Sequence, residues 1–181
     1  MIPDEEQALK LHTKYGSNER IVKHCKTVAK VATLIAEQFV KRGKNVNIDV
    51  VRAGAFLHDI GRTVTHTAKH GQAGAEILEK ECIDKRVVET VRRHVGAGIT
   101  KEEARKLGLP ELDYVPKTLE ERIVCFADKM VDSDFVRPFE KEVRRFEAEG
   151  HDKERLLALK ENLKRELGED PESIVMNLFR R

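Results

Sequence analysis

The chain has 181 residues, 36% of them charged, with a net charge of only +2, a length that fits one domain with a real core and room for an appendage. The near-balanced charge argues against nucleic-acid binding driven by bulk charge, and no apolar run is long enough to cross a membrane. The start, "MIPDEEQALK", is acidic where a signal peptide would be basic, so we expect a cytoplasmic protein with no membrane and no nucleic-acid partner.

In chain order, His12 comes first in a polar segment and reads as a surface residue. "NERIVKHCKTVAKVATLIAEQFVKRG" predicts a long helix, capped by Asn18 and stopped at Gly43. Ile21, Cys25, Val28, Ala32, Ile35 and Phe39 recur along it at helical spacing. "NIDVVRAGAFLHDIG" predicts a helix from Asn47 to Gly61, and "THTAKHGQAGAEILEKE" another after a short loop. "DKRVVETVRRHVGAG" opens with Asp84 and closes at Gly96. "TKEEARKLG" and "TLEERIVCFADKMVDS" open with Thr100 and Thr118, each followed three residues on by a glutamate, the capping-box pattern. No stretch alternates convincingly as a strand, so the expected class is all-α. Cys25, Cys82 and Cys125 are too scattered for a zinc knuckle or a disulfide framework. Cys25 and Cys125 read as small buried thiols.

The character changes after Pro138, where the helices become highly charged. Leu156, Leu159, Leu163 and Leu167 form one narrow apolar stripe. We therefore divide the chain into a core, 1–137, and a C-terminal helical extension, 138–181, packed on it by that stripe. The sharper alternative use of the stripe is a homodimer contact.

Several titratable side chains share faces with apolar ones. His24 lies three after Ile21, and His58 seven after Val51. His70 lies seven before Ile77, His94 three after Val91 and Asp128 four after Val124. Positions three, four or seven apart share a helix face, so five titratable residues on five helices point inward, and Asp59 adjoins one of them. A buried imidazole or carboxylate is costly unless partnered. Alone, each histidine is more often a satisfied core or surface residue than a ligand. Together they form a nitrogen and oxygen donor set that suits iron, manganese, cobalt or zinc. Six ligands are too many for one catalytic ion with an open position, and they suit two ions sharing an aspartate. "GHDKER" is an internal control: its His151–Asp152 opens a charged helix, with Asp152 an expected N-cap and His151 in solvent. The bare dipeptide is weak; its place after "AGAFL" gives it meaning.

"HDIGR" with His24 before it, "KHGQAGAEIL", "VRRHVGAG" and "FADKMVD" follow one another in the order H…HD…H…H…D. This pattern resembles the HD superfamily of metal-dependent phosphohydrolases, in its two-metal subgroup. Within it the chain resembles HD-type diadenosine tetraphosphate hydrolases and uncharacterised archaeal HD proteins. The resemblance implies an all-helical HD domain of about five core helices. It implies one metal on His24, His58, Asp59 and Asp128, and a second on His70, His94 and bridging Asp59. Either would be a divalent iron, manganese, cobalt, nickel or zinc ion. The implied activity is hydrolysis of a phosphate ester or anhydride of a nucleotide or another small molecule. Asp59 and Arg62 would be catalytic, and Arg20, Arg62 and Lys129 would neutralise substrate phosphate. No GYP motif is present, which disfavours the cyclic-di-GMP phosphodiesterases of that class. Two other readings remain at this stage: a dinuclear-iron oxygenase, and a non-catalytic nucleotide-binding module. His66 reads as a loop histidine.

Overall fold

Side-chain caps set where most helices begin. Asp4, Asn18, Asn47, Asp84, Thr100, Thr118 and Asp152 each accept a hydrogen bond from a backbone N–H of the turn that follows. In the computed structural model, which describes residues 1–179, these caps open seven helices. They are α1 (Glu5–Tyr15), α2 (Glu19–Lys41), α3 (Ile48–Leu57), α5 (Lys85–Arg92), α6 (Lys101–Lys106), α7 (Leu119–Lys129) and α9 (Lys153–Leu167). The others are α4 (His70–Lys80), α8 (Phe139–Ala148) and α10 (Pro171–Phe179), and a 3₁₀ turn spans Ile60–Thr63. The fold is all-α. Its only departure among the described residues is a hairpin of β1 (Val131–Asp132) and β2 (Phe135–Val136), antiparallel with Val131 opposite Val136. Two-residue strands are too short to show a period of two, so no pattern of residues marks them.

The apolar stripe of α2 packs along α3 and α7, while α5 closes against α3 and α4. Ile35, Phe39, Leu57, Leu78, Ile123 and Phe126 are fully buried in one continuous core. Leu156, Leu159, Leu163 and Leu167 of α9 join that same core, with α9 against α7 and α10 against α2. Each such leucine contributes roughly 1.5–3 kcal/mol by leaving water. The stripe is covered within the chain, so the dimer reading loses the feature it rested on.

Besides α7, which ends at Lys129 and yields its last expected residues to the hairpin, three helix boundaries differ from the sequence reading. First, α3 stops at Leu57, not Gly61. Gly61 serves close approach instead: a Cβ there would lie 2.0 Å from the His70 carbonyl oxygen and 2.4 Å from the Gly74 nitrogen. Only a residue without a side chain lets the 3₁₀ turn lie on the start of α4. Second, α4 begins at His70, because the Thr65 and Thr67 hydroxyls bond their own neighbourhood and hold 65–69 in turns. Third, α5 ends at Arg92, short of His94 and of the expected stop at Gly96. His12 also departs from expectation, being 1% exposed. Its ring bonds the Phe56 carbonyl at 2.8 Å and the Ser17 hydroxyl at 2.7 Å. The Phe56 carbonyl belongs to the last turn of α3, where the helix ladder offers no partner, and the imidazole takes that place. Cys25 and Cys125 are buried, and Cys82 is exposed.

Candidate metal centre

Each histidine reaches the centre from a different local setting. His24 stands on α2, and His58 is the C-cap of α3 with φ −54° and ψ −38°. His70 is the first residue of α4, and His94 follows the end of α5 by two residues. The five-helix expectation is therefore corrected: His58 and His94 lie just past helix ends. The spacing rule still found them because His58 keeps helical dihedrals.

All four rings are fixed by the same device. Nδ1–H donates to a backbone carbonyl: Ser133 for His24 at 2.9 Å, and Ala55, Thr67 and Val91 for His58, His70 and His94 at 2.7 Å each. A carbonyl can only accept, so Nδ1 carries the proton and Nε2 of a neutral ring is a bare lone pair. The Nε2 atoms nevertheless converge, His24 on His58 at 3.2 Å and His70 on His94 at 3.0 Å. Lone pairs that close repel unless a proton or a metal ion lies between them.

Two carboxylates complete the layer. Asp128 Oδ1 lies 3.0 Å from His24 Nε2 and 3.4 Å from His58 Nε2. Asp59 Oδ1 lies 3.3 Å from His70 Nε2 and 3.5 Å from His94 Nε2, while its Oδ2 is 3.8 Å from His58 Nε2. Asp59 Oδ1 is buried without a hydrogen-bond partner. An anionic oxygen in that state is costly, and it faces the same space as the Nε2 atoms. Three overlapping groups have donor atoms within 4.8 Å of one another: His24–His58–Asp59, His58–His94–Asp128 and Asp59–His70–His94. The residues present fit a metal ion: neutral imidazoles held by carbonyls behind them, carboxylates between them and one orphaned oxygen.

Ionisation follows the same layout. Burial pushes Asp59 and Asp128 up, yet both carboxyls sit well below the usual range. His58, His70 and His94 outweigh burial at Asp59, and Lys129, His24 and His58 do so at Asp128. Burial pulls His24 and His58 down, but Asp128 raises His24, and Cys25, Asp59 and Asp128 raise His58, above the ordinary imidazole value. At His94 burial, reinforced by His58 and His70, lowers the ring to about 4.

The three candidate phosphate cations line one cleft of about 970 Å³ over this layer, but they differ in setting. Arg62 donates from Nε to Asp59 Oδ2 at 2.6 Å and has no other partner among the described residues. Arg20 is exposed, its guanidinium 3.4 Å from the Ser133 hydroxyl. Lys129 is buried with its ammonium on Asp128 Oδ2, so its charge is committed to a candidate ligand rather than held free for substrate. His66 is exposed in the same cleft. Sequence reasoning missed Ser133, whose carbonyl anchors His24, and two further residues that line the cleft, Arg137 and Glu142. The spacing rule would have found Glu142, three after Phe139 and four before Phe146 on α8.

The chain matches the family model described as HD domain over residues 21–131. It is 44% identical over 179 residues to a protein of Picrophilus torridus named tRNA (cytidine(56)-2'-O)-methyltransferase, across 98% of this chain and 51% of that protein. It is 43% identical over 143 residues to an uncharacterised protein of Methanocaldococcus jannaschii, across 75% of this chain and 84% of that one. This chain thus spans about half the length of the first relative and most of the second. The fold superposes on the HD domain of the L. monocytogenes phosphodiesterase PgpH with a TM-score of 0.60 and 20% identity, covering 94% of this chain and 96% of that one. That domain has also been solved in complex with cyclic-di-AMP. Among the described residues no helix is long and apolar enough to cross a membrane.

Proposed function

This chain belongs to the HD domain family, and from that premise we propose that it is a metal-dependent phosphohydrolase acting on a phosphate ester or anhydride of a nucleotide. The observation that carries this reading is Asp59. One carboxylate lies between two imidazole pairs, with an oxygen that no protein donor satisfies. We assign His24, His58, Asp59 and Asp128 to one divalent ion, and His70, His94 and Asp59 to a second, with iron, manganese, cobalt, nickel and zinc all compatible with the donors. Such ions supply Lewis acidity at a phosphoryl oxygen and a water nucleophile active near neutral pH.

The chain's own residues do the rest. Carbonyls behind the four rings fix their tautomer and aim, which preorganises the ligand layer. Arg62 holds Asp59 in register through Nε and keeps its remaining N–H groups for a phosphate in the cleft, a planar fork that grips phosphate in two places. Arg20 receives the more distant phosphate charge at the mouth. Lys129 keeps Asp128 ionised. Residues 1–137 then form the metal-binding core, and 138–181 an extension whose Arg145 and Phe146 wall the far side of the cleft.

The expectation of no nucleic-acid partner conflicts with the relative named for a tRNA, and it is withdrawn. We assign the methyl transfer in that name to the half of the relative that this chain does not span. A nucleotide substrate is supported by the cyclic-di-AMP complex of the structural neighbour. The test is phosphate or nucleotide release from mononucleotides, dinucleoside polyphosphates, cyclic dinucleotides, tRNA and sugar phosphates, with manganese, cobalt or ferrous iron. Metal-dependent release from one class is expected. Silence across the panel from protein shown to hold metal would contradict the hydrolytic reading.

A further inference from the structure

The Nε2 atoms of His70 and His94 meet at 3.0 Å from the start of α4 and from just beyond α5, so their spacing depends on how those two helices sit together. The contact between the helices is built on glycine. A Cβ on Gly71 would lie 2.7 Å from Val95 Cγ2 and 2.9 Å from the Arg92 carbonyl oxygen, and one on Gly74 would lie 2.9 Å from Val91 Cγ1. Such a surface lets the helices close in, but it is smooth and offers little resistance to sliding. The side chain of Arg92 supplies that resistance. It is 7% exposed and crosses to α4 at two points: Nη1 donates to Gln72 Oε1 at 2.5 Å, and Nη2 donates to Glu79. Its Nε donates to Glu89 on its own helix at 3.2 Å. Gln72 and Glu79 are seven apart and so share one face of α4. The hydroxyl of buried Tyr114 donates to the same Gln72 oxygen at 3.1 Å and holds it in place.

A buried ion pair adds little net stability over an apolar side chain of similar volume, whereas its directed bonds single out one register. Register matters here because His70 lies two residues before Gln72, and His94 two residues after Arg92. We propose that Arg92 is a positioning residue for the His70–His94 pair: its guanidinium fixes α4 against α5 and so sets the distance at which the two Nε2 atoms face one ion. This rests on the two-ion reading above. His24, His58 and Asp128 stand on or beside α2, α3 and α7, and the Arg92 guanidinium makes no bond to those elements among the described residues. The effect of losing Arg92 therefore falls on one ion and spares the other.

The sign of the effect separates position from charge. Removing a cation beside a cation site strengthens metal binding by charge alone, so weaker binding reports lost geometry. The experiment is isothermal titration of chelator-stripped full-length chain with manganese(II) alone, with circular dichroism to check folding. Wild type is expected to take up two ions. Arg92→Met keeps the stem and removes the fork; it is expected to hold one ion as wild type does and the second about 10- to 100-fold more weakly, the range for groups that orient metal ligands. Arg92→Lys keeps the charge without the fork and is expected to show the same selective loss. Electron paramagnetic resonance adds a spectroscopic signature: a spin-coupled manganese pair in wild type, and isolated manganese(II) in Arg92→Met at the same metal dose. Arg122→Met removes a comparable arginine grip, on Glu166 between α7 and α9 at 2.5 Å, and is expected to leave the second ion in place. Equal weakening of both ions by Arg92→Met, no weakening, full rescue by Arg92→Lys, or the same selective loss in Arg122→Met would overturn the inference. If Arg92→Met does not fold, Gln72→Leu decides, and wild-type binding of the second ion there overturns it. A wild-type chain that takes up fewer than two manganese ions would overturn the two-ion reading itself, and this inference with it.

Discussion

The dipeptide His-Asp occurs twice in this chain, and the two copies live in opposite surroundings. The side chains of His58 and Asp59 are 0% and 7% exposed, at the end of an apolar helix with three more histidines facing them. His151 is 59% exposed, pairs with Glu149 at 3.2 Å and stacks edge-on against Phe146. Asp152 caps α9 through the Arg155 N–H. The same two residue types give a candidate metal centre in one place and a helix start in the other. The difference is the second group each faces: an anchored imidazole layer for the first, solvent and a backbone N–H for the second.

Breaking each copy in turn exposes that difference. Asp59→Ala removes the shared carboxylate, and metal-dependent phosphate release is expected to fall by more than the roughly 10–100-fold lost with an outer partner. The equivalent change at Asp152 is expected to leave turnover unchanged. A steady-state assay on both variants checks this, and equal losses would erase the contrast.

The glycines beside the two copies sharpen it. Gly61→Ala forces a methyl into the His70 carbonyl. It is expected to cost about 1–3 kcal/mol by overpacking, or more if the 3₁₀ turn lifts off α4, and to weaken metal binding by displacing His70. Gly150 adopts φ +71° with nothing within 4 Å of a Cβ there. Gly150→Ala is therefore expected to cost about 1–2 kcal/mol of backbone strain alone with metal binding intact. Thermal unfolding paired with metal titration separates the two.

Asp152→Ala has a smaller cost, about 1 kcal/mol for the lost cap, read as a shift in chemical unfolding midpoint. The last contrast is ionisation. In chelator-stripped protein the His94 ring is lowered to about 4 by burial and by its histidine neighbours. Its folded value lies below its unfolded one, so unfolding takes up a proton between them. The stability His94 contributes is present above about 6.5 and is lost as pH falls through about 4. Imidazole NMR titration should show His94 still neutral at pH 5, and a midpoint near 6.5 would refute the burial argument.

Much of this was legible in the sequence because helices and caps are local. Asn18, Asn47, Asp84, Thr100 and Thr118 cap the helices they were expected to open. Five of the six centre residues stood out as polar groups at apolar spacing, with Asp59 beside one of them, and the structure brings the six together. What escaped depends on contacts distant in sequence. His12 is buried because α1 lies on the end of α3, forty-four positions away at Phe56. Ser133 anchors His24 from a hairpin too short to carry a pattern. Glu142 was hidden by its charged neighbours, since a helix rich in charge reads as solvated unless its apolar face is traced separately. Lys129 looked like a free phosphate cation because nothing in the sequence shows that its ammonium folds back onto the preceding aspartate.

The central claim is that two imidazole pairs sharing Asp59 hold divalent metal. The most direct measurement is an anomalous-difference map from crystals of the full chain soaked in manganese(II). Two peaks are expected, one among His24, His58 and Asp128 and one among Asp59, His70 and His94. An ordered chain with no anomalous density in that layer would contradict the account.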